Sequence, residues 1–350
     1  MKFGIQYALG DPKWTPGILA PSVVKSFAKS AEDGGFDAIA FTDHPAPSAL
    51  WVERDGEGVA DPFTSLGFVA AVTERVRLMT FVLVPSYRNP IMAAQQVSTL
   101  DQLSGGRVTV AMGTGYMFGE FKALDVDPTK RRELFDRNVG IMREAWTNGE
   151  VSIETNGVIA KPTRMLPPVV QRPHPPLWIH GNAPFGTARA GAYGDGWLGM
   201  ITGEREQITK TIRTKPIEDL DVLARGIDEV RMAAESAGRK ASGVEIVVMG
   251  LWPMIDVRKG RPADQYLEEI AALEALGVDW TISLSCGDDT GAAVETVQWF
   301  ARDIIAPSRN WVGDLLEPGP AWLPERTSVV TVCARGRYKP SQRVDWSGPR

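Results

Sequence analysis

The chain has 350 residues, 43% hydrophobic and 23% charged, which excludes disordered and collagen-like chains and suffices for one large core. Acidic residues outnumber basic ones by 43 to 38 with no sustained Lys/Arg block, so no nucleic-acid or anionic membrane partner is expected. No run reaches the roughly 18 apolar residues of a membrane span, and Met1 to Tyr7 reads as a strand rather than a signal peptide, so a cytoplasmic setting is expected.

Eight short apolar runs bounded by turn residues read as strands in chain order: Phe3 to Tyr7, Ala38 to Phe41, Leu78 to Val84, Val108 to Gly113, Leu177 to Gly181, Gly196 to Met200, Val244 to Leu251 and Trp280 to Ser285. Helical periodicity fills the gaps over Ser22 to Gly34, Pro90 to Leu103, Arg131 to Trp146, Phe185 to Tyr193, Ile217 to Gly238, Ala263 to Leu276 and Ala292 to Ile305. Eight such repeats fit an α/β fold of the (β/α)₈ TIM-barrel type better than a doubly wound sheet. Two insertions interrupt the repeat. One is a loop over Pro45 to Pro62, and the other, Gly149 to Pro176, contains a candidate hairpin over Val151 to Ile159. The expected organisation is one barrel domain over 1–312 and an extended tail over 313–350, which either wraps a surface or is a disordered end.

The only cysteines are Cys286 and Cys333, so neither a disulfide framework nor a thiolate metal site is expected, and redox chemistry would need a cofactor. In a barrel the reacting groups sit just beyond the C-terminal strand ends. Here those positions hold Tyr7, Asp43 and His44, Thr114 to Tyr116, His180 to Asn182, Met200, Trp252 and Cys286. Carboxylates are scarce in this ring, and the first strand ends Gln6-Tyr7 with no His-x-His pair. Paired-carboxylate glycoside hydrolysis and a hydrolytic metal site are therefore poorly served.

His44, one of three histidines, stands beside Asp43, a carboxylate able to hold an imidazole tautomer. His180 is open between a site role and packing, and His174, between prolines, reads as structural. Gly113-Thr114-Gly115 fails the dinucleotide pattern, because the next glycine, Gly119, is one residue too far, but it permits close approach of backbone to a flat ligand. Gly181-Asn182 leads into a helix whose first amides can hold a phosphate. Arg88, taken alone, reads as a surface residue in a turn. Trp14, Trp51, Met200 and Trp252 are candidates for an apolar substrate pocket, with core packing the competing reading for Trp252.

Several stretches in order resemble the bacterial-luciferase-like family, and within it the oxidoreductases that use coenzyme F420: Gly35 to Ser48, Tyr87 to Pro90, Leu100 to Val108 with Gly113 to Tyr116, Gly119-Glu120-Phe121, Pro175 to Asn182, and Asp195 to Trp197. The resemblance spans about residues 1 to 200. It implies a luciferase-like TIM barrel holding a deazaflavin at its mouth, with a bulge in the third strand, often carrying a non-proline cis peptide, at Phe81-Val82. It further implies that His44 and Asp43 lie near the reacting face, that Thr114 and Gly115 line the cofactor, and that Gly181 and Asn182 meet its phosphate.

Some sugar-phosphate-oxidising members carry Glu directly after Gly-Thr-Gly, where this chain has Tyr116, which argues against that substrate. The expected activity is hydride transfer between F420 and a small apolar organic substrate, with His44 and then Tyr116 as proton-handling groups and no metal. The alternatives are an FMN-dependent monooxygenase served by a separate reductase, a cofactor-free barrel hydrolase using His44 and Asp43, and a non-catalytic cofactor binder. A homodimer is expected from the resemblance.

Overall fold

A computed structural model describes residues 1–7, 14–54, 59–155, 158–159, 161–203 and 206–309. The expected tail over 313–350 lies outside the described residues, and the compact unit runs from Met1 to Ser308. Eight parallel strands close into a barrel: β1 (Lys2–Gln6), β2 (Ala38–Phe41), β3 (Arg77–Leu83), β4 (Val108–Met112), β5 (Leu177–His180), β6 (Gly196–Met200), β7 (Glu245–Ile255) and β8 (Trp280–Ser285). Each strand pairs with its neighbours in chain order, and β1 closes the ring on β8 with Lys2 opposite Trp280 and Gln6 opposite Leu284. All eight coincide with the runs read from the sequence to within a few residues. Those runs are short and β-branched because a barrel strand is buried on both faces.

Strand alternation divides the core into two layers. Ala38, Ala40, Met79, Phe81, Ala111, Trp178, Leu198, Val247, Trp280 and Ile282 fill the barrel interior. Residues of opposite parity, such as Phe3, Ile5, Ile39, Leu78, Val110, Ile179, Trp197 and Val248, pack outward against the helices.

The helices around the barrel are α1 (Pro21–Asp33), α2 (Ala49–Arg54), α3 (Pro62–Val72), α4 (Pro90–Leu103), α5 (Phe118–Ala123), α6 (Arg131–Asn148), α7 (Pro184–Tyr193), α8 (Glu206–Ile212), α9 (Leu220–Ser236), α10 (Ala263–Ala275) and α11 (Thr290–Phe300). Their starts are written in the chain. Asn89 accepts from the amides of Ile91 and Met92 with Pro90 in the first turn, and Asp61, Asp219 and Asp289 likewise cap α3, α9 and α11. The loop expected over 45–62 contains α2. The helix that follows it, α3, was not legible because its sequence PFTSLGFVAAV is apolar all round and carries no one-sided stripe. The hairpin expected over 151–159 is present: Glu154–Thr155 pairs antiparallel with Val158–Ile159, and Glu150–Val151 with Thr163–Arg164 outside it.

One buried carboxylate ties α1 to the barrel. Oε2 of Glu32 accepts from the amides of Glu74, Arg75 and Val76 at 2.9, 2.7 and 3.1 Å, at the turn that feeds β3. Burial pushes this carboxyl up, but the three amides and Lys29 outweigh it and bring it down to about 2. A folded-state value below the unfolded one stabilises the fold above the unfolded value, and this is lost as pH falls through the folded value. Glu32→Gln is therefore expected to lower stability at pH 7 by about 2 kcal/mol, the gap to the unaltered chain closing as pH falls from about 4.5 toward 2. Urea titrations across that range check it; a gap independent of pH would contradict this account.

Candidate active site

The mouth of the barrel is built from the residues one step beyond the interior layer. Alternation continues from Ala111, Trp178 and Leu198 to the rim, where the chain carries Gly113, His180 and Met200, while in β3 a register shift brings Val82, directly after Phe81, to the interior layer. Val82, Met249 and Leu284 are partly buried against the interior layer and form an apolar floor. The peptide Phe81-Val82 is cis, and the pairing of β3 with β4 shifts register between Thr80 and Leu83, so the bulge lies where the family resemblance implied it. Gly113 sits against this bulge: a Cβ there would lie 3.0 Å from Cγ2 of Val82 and 3.7 Å from the ring of His180. Glycine keeps that edge flat. Gly115 has φ +79°, and a Cβ would strike Phe121 at 2.7 Å and Val84 at 2.9 Å, so the turn after β4 requires glycine.

His44 stands at the end of β2 beside this floor. Its Nδ1 lies 3.2 Å from Oε2 of Glu120, and its Nε2 lies 3.4 Å from the Tyr116 hydroxyl. The Trp51 ring, delivered by α2, lies 5.4 Å from the imidazole and the Tyr116 ring 5.5 Å, edge on. Glu120 is 2% exposed, and its other oxygen accepts from the Ala46 amide at 3.0 Å, so one carboxylate fixes both the imidazole and the loop that carries it. Since a carboxylate only accepts, the network assigns the proton to Nδ1 and leaves the Nε2 lone pair facing the phenol.

The carboxylate that meets His44 is therefore Glu120 and not Asp43, as adjacency in the chain suggested. Asp43 is buried and turned the other way. It accepts from Nε of Arg88 at 3.1 Å, pairs with that guanidinium's Nη2, and accepts from the Val84 amide at 3.1 Å. Tyr87 donates its hydroxyl to the Asp43 carbonyl at 3.1 Å, and burial holds this phenol far above its ordinary range, so it stays protonated. Asp43 thus clamps the end of β2 to the chain just beyond the bulge. The same contacts correct the surface reading of Arg88, whose partner lies 45 residues back in the chain.

Nδ1 of His180 lies 2.9 Å from the Leu198 carbonyl; burial pushes its imidazole down against that bond, leaving it neutral. The phosphate reading of Gly181-Asn182 rests on amides at the start of α7, which begins at Pro184 without a side-chain cap. The Gly181 amide donates to Leu198 at 3.3 Å, while the Asn182 side chain donates to the carbonyls of Met200 and Lys215 and accepts from the Met200 amide. These groups are spent on holding β5, β6 and the following loop together. Thr114 and Gly115 follow β4 beside Tyr116, with the Thr114 carbonyl accepting from Ser86 at 3.2 Å. Met200 is buried on the rim, Trp14 is 48% exposed, and the Trp252 side chain lies outside the described residues. Asp256, Cys286 and Asp288 come within 4.8 Å of one another, but Arg258 donates to both carboxylates, which makes the group an ion-pair cluster rather than a metal cage.

Sequence reasoning assigned no role to Glu120, Met249 or Leu284. The signal for the last two is parity along their strands; for Glu120 it is its place in the Gly119-Glu120-Phe121 stretch.

The family described as "Luciferase-like monooxygenase" matches residues 1–256. The chain belongs to this luciferase-like family. Among curated relatives, an F420-dependent glucose-6-phosphate dehydrogenase of Beutenbergia cavernae is 32% identical over 199 residues, covering 55% of this chain and 56% of the relative. The chain spans about two-fifths to three-fifths of the length of the curated relatives it matches. Two luciferase-like folds among solved structures are monooxygenase RslO1 from Streptomyces bottropensis and the coenzyme F420 dependent tetrahydromethanopterin reductase from Methanopyrus kandleri. The first has TM-score 0.72 at 23% identity, covering 88% of this chain and 99% of that one; the second has TM-score 0.65 at 16%, covering 87% and 99%. At these identities the likeness is one of fold. No helix among the described residues is long and apolar enough to cross a membrane.

Proposed function

We propose that this chain is an F420-dependent oxidoreductase that moves hydride between the deazaflavin and a small apolar organic substrate. The observation that carries the reading is the mouth itself: a bulged β3 edge and a side-chain-free Gly113 form a flat apolar floor, with one hydrogen-bonded His44 at its side. That surface suits a planar uncharged ring, whereas the few ionisable groups present suit neither a metal nor a carboxylate pair. The F420-dependent name of the Beutenbergia cavernae relative supports the same cofactor.

When bound, the deazaflavin supplies or accepts the hydride. The chain does the rest. Val82, His180, Met249 and Leu284 would hold the ring and keep water from it; His180, held by Leu198 with its imidazole pushed down by burial, would add no charge there. Glu120 holds the His44 tautomer, so as a substrate hydroxyl is oxidised its proton passes to the Tyr116 oxygen while the Tyr116 proton passes to Nε2, and both move back toward a carbonyl oxygen in reduction. Tyr116 hydrogen-bonds at the same nitrogen and orients the oxygen. Trp51 and Met200 give the substrate an apolar wall, which favours an organic alcohol or carbonyl over a sugar phosphate.

The family description and the likeness to RslO1 favour a second reading, an FMN-dependent monooxygenase that consumes oxygen. Titration of the purified chain with F420 and with FMN, following tryptophan quenching, separates the two. Trp51, 5.4 Å from His44, is the expected reporter. A tenfold preference for F420, about 1.4 kcal/mol, supports hydride transfer. Preference for FMN moves the chain to the monooxygenase reading, and binding of neither removes both.

A further inference from the structure

A second cluster at the mouth has no part in the chemistry described above. Phe118 opens α5 beyond β4, Phe185 stands in the first turn of α7 beyond β5, and Arg213 follows β6; these strands are neighbours in the barrel. The Arg213 guanidinium lies 3.8 Å from the centroid of the Phe118 ring and that of Arg131 lies 5.1 Å from the same ring, while Arg132 lies 4.0 Å from the centroid of Phe185. Burial pushes the Arg131 guanidinium down, and the charges of Arg132 and Arg213 push it further, so the three feel one another.

Among the described residues no carboxylate pairs with these three side chains. Arg131 gives one bond to the Pro128 carbonyl, and the nearby Asp136 is occupied by Arg189 and Tyr193. The placement of Arg131 and Arg132 runs against the helix dipole, whereas Arg213 follows the C-terminal end of α8. Lys130, Arg131 and Arg132 occupy the N-terminus of α6, where the helix dipole is positive and acids are favoured; Glu133 is the one acid in that turn. The adjacent α7 begins without a side-chain cap, adding a second positive helix end. Arg213 also has φ +53°, a backbone conformation uncommon outside glycine.

Three repelling guanidinium groups, two of them at the N-terminus of α6, form with the uncapped start of α7 a field that an anion completes. Because they are spread over two aromatic platforms, they suit an extended ligand with several negative charges. We propose that Arg131, Arg132 and Arg213 dock the acidic tail of the deazaflavin cofactor, its phosphodiester and glutamyl carboxylates. The proposal rests on the cofactor reading above and extends it from the ring to the tail.

The test titrates the full chain and its Arg132→Ala/Arg213→Ala variant with three ligands: F420, the same deazaflavin lacking phosphate and glutamates, and FMN. Both arginines are exposed, and equal thermal midpoints verify that the variant folds. The variant is expected to bind F420 on the order of tenfold more weakly at low salt, to bind the tail-less ring within about twofold of the unaltered chain, and to lose less for FMN than for F420. Raising NaCl from about 0.05 to about 0.5 M is expected to narrow the F420 gap, since exposed charges are screened. Undiminished F420 affinity, or an equal loss for the tail-less ring, overturns the proposal while leaving the cofactor reading in place. An FMN loss equal to that for F420 reduces the cluster to a phosphate site and overturns the tail assignment. If the unaltered chain binds neither F420 nor its tail-less ring, the cofactor reading fails and the proposal falls with it.

Discussion

Replacing His44 by alanine is expected to lower kcat of the F420-linked reaction by about 10²- to 10⁴-fold, the range for removal of a positioned proton-transfer group. Affinity for F420 is expected to stay within about threefold, because the imidazole stands beside the floor and the effect falls on the chemical step. Glu120 acts through His44. Glu120→Gln keeps the shape and the acceptor for the Ala46 amide at 3.0 Å, but offers an amide N–H to Nδ1 that turns the imidazole to the other tautomer. That change is expected to cost roughly 10²-fold in kcat, by the logic under which a carboxylate orients a catalytic imidazole. Nitrogen NMR of the imidazole reads it independently of turnover, with the proton on Nδ1 in the unaltered chain and on Nε2 in the variant. A His44→Ala protein retaining kcat within tenfold removes His44 from the chemistry; an unchanged tautomer in Glu120→Gln reduces Glu120 to a loop anchor.

The eight strands were legible because each is a short, doubly buried run between turn residues, and a closed barrel leaves parity along the strand as the only orientation to find. Hence Gly113 and His180 could be placed at strand ends from the sequence, while the bulge at Phe81-Val82, which breaks parity, was reached only through the resemblance. What the sequence hid were partnerships across the ring. Asp43 and His44 are neighbours in the chain, but successive residues at a strand end point to opposite sides, so one meets Arg88 and the other Glu120, 45 and 76 residues away. Likewise Gly181 and Asn182 are bound to β6 and its following loop, which their spacing along the chain does not reveal. Residue-by-residue reading therefore reached His44 and Tyr116 but missed the carboxylate that ties His44 to its loop, and it gave no role to the arginines at 131, 132 and 213, which two distant segments bring together.

Asp43→Ala is expected to destabilise the fold by about 3 to 5 kcal/mol, because it leaves the Arg88 guanidinium, only 16% exposed, without its partner. Burial pushes that guanidinium down, and the bond and charge of Asp43 restore it above its ordinary range, so the pair is held by mutual compensation rather than by solvent. The mutation also frees the Val84 amide, one residue past Leu83 where β3 rejoins β4, and loosens the anchor of Tyr87. Activity in the surviving folded fraction is accordingly expected to fall, through displacement of the Phe81-Val82 edge. Arg88→Met in the same chain removes the stranded charge and fills the space with an apolar stem of similar length. The double variant is thus expected to recover at least half of the lost stability while the Val84 amide stays without its acceptor, so activity does not return with it. Urea unfolding and turnover measured on the two single variants and the double variant separate these contributions. An Asp43→Ala chain within about 1 kcal/mol of the unaltered one would show that the pair is solvated and that the bulge holds its shape without it.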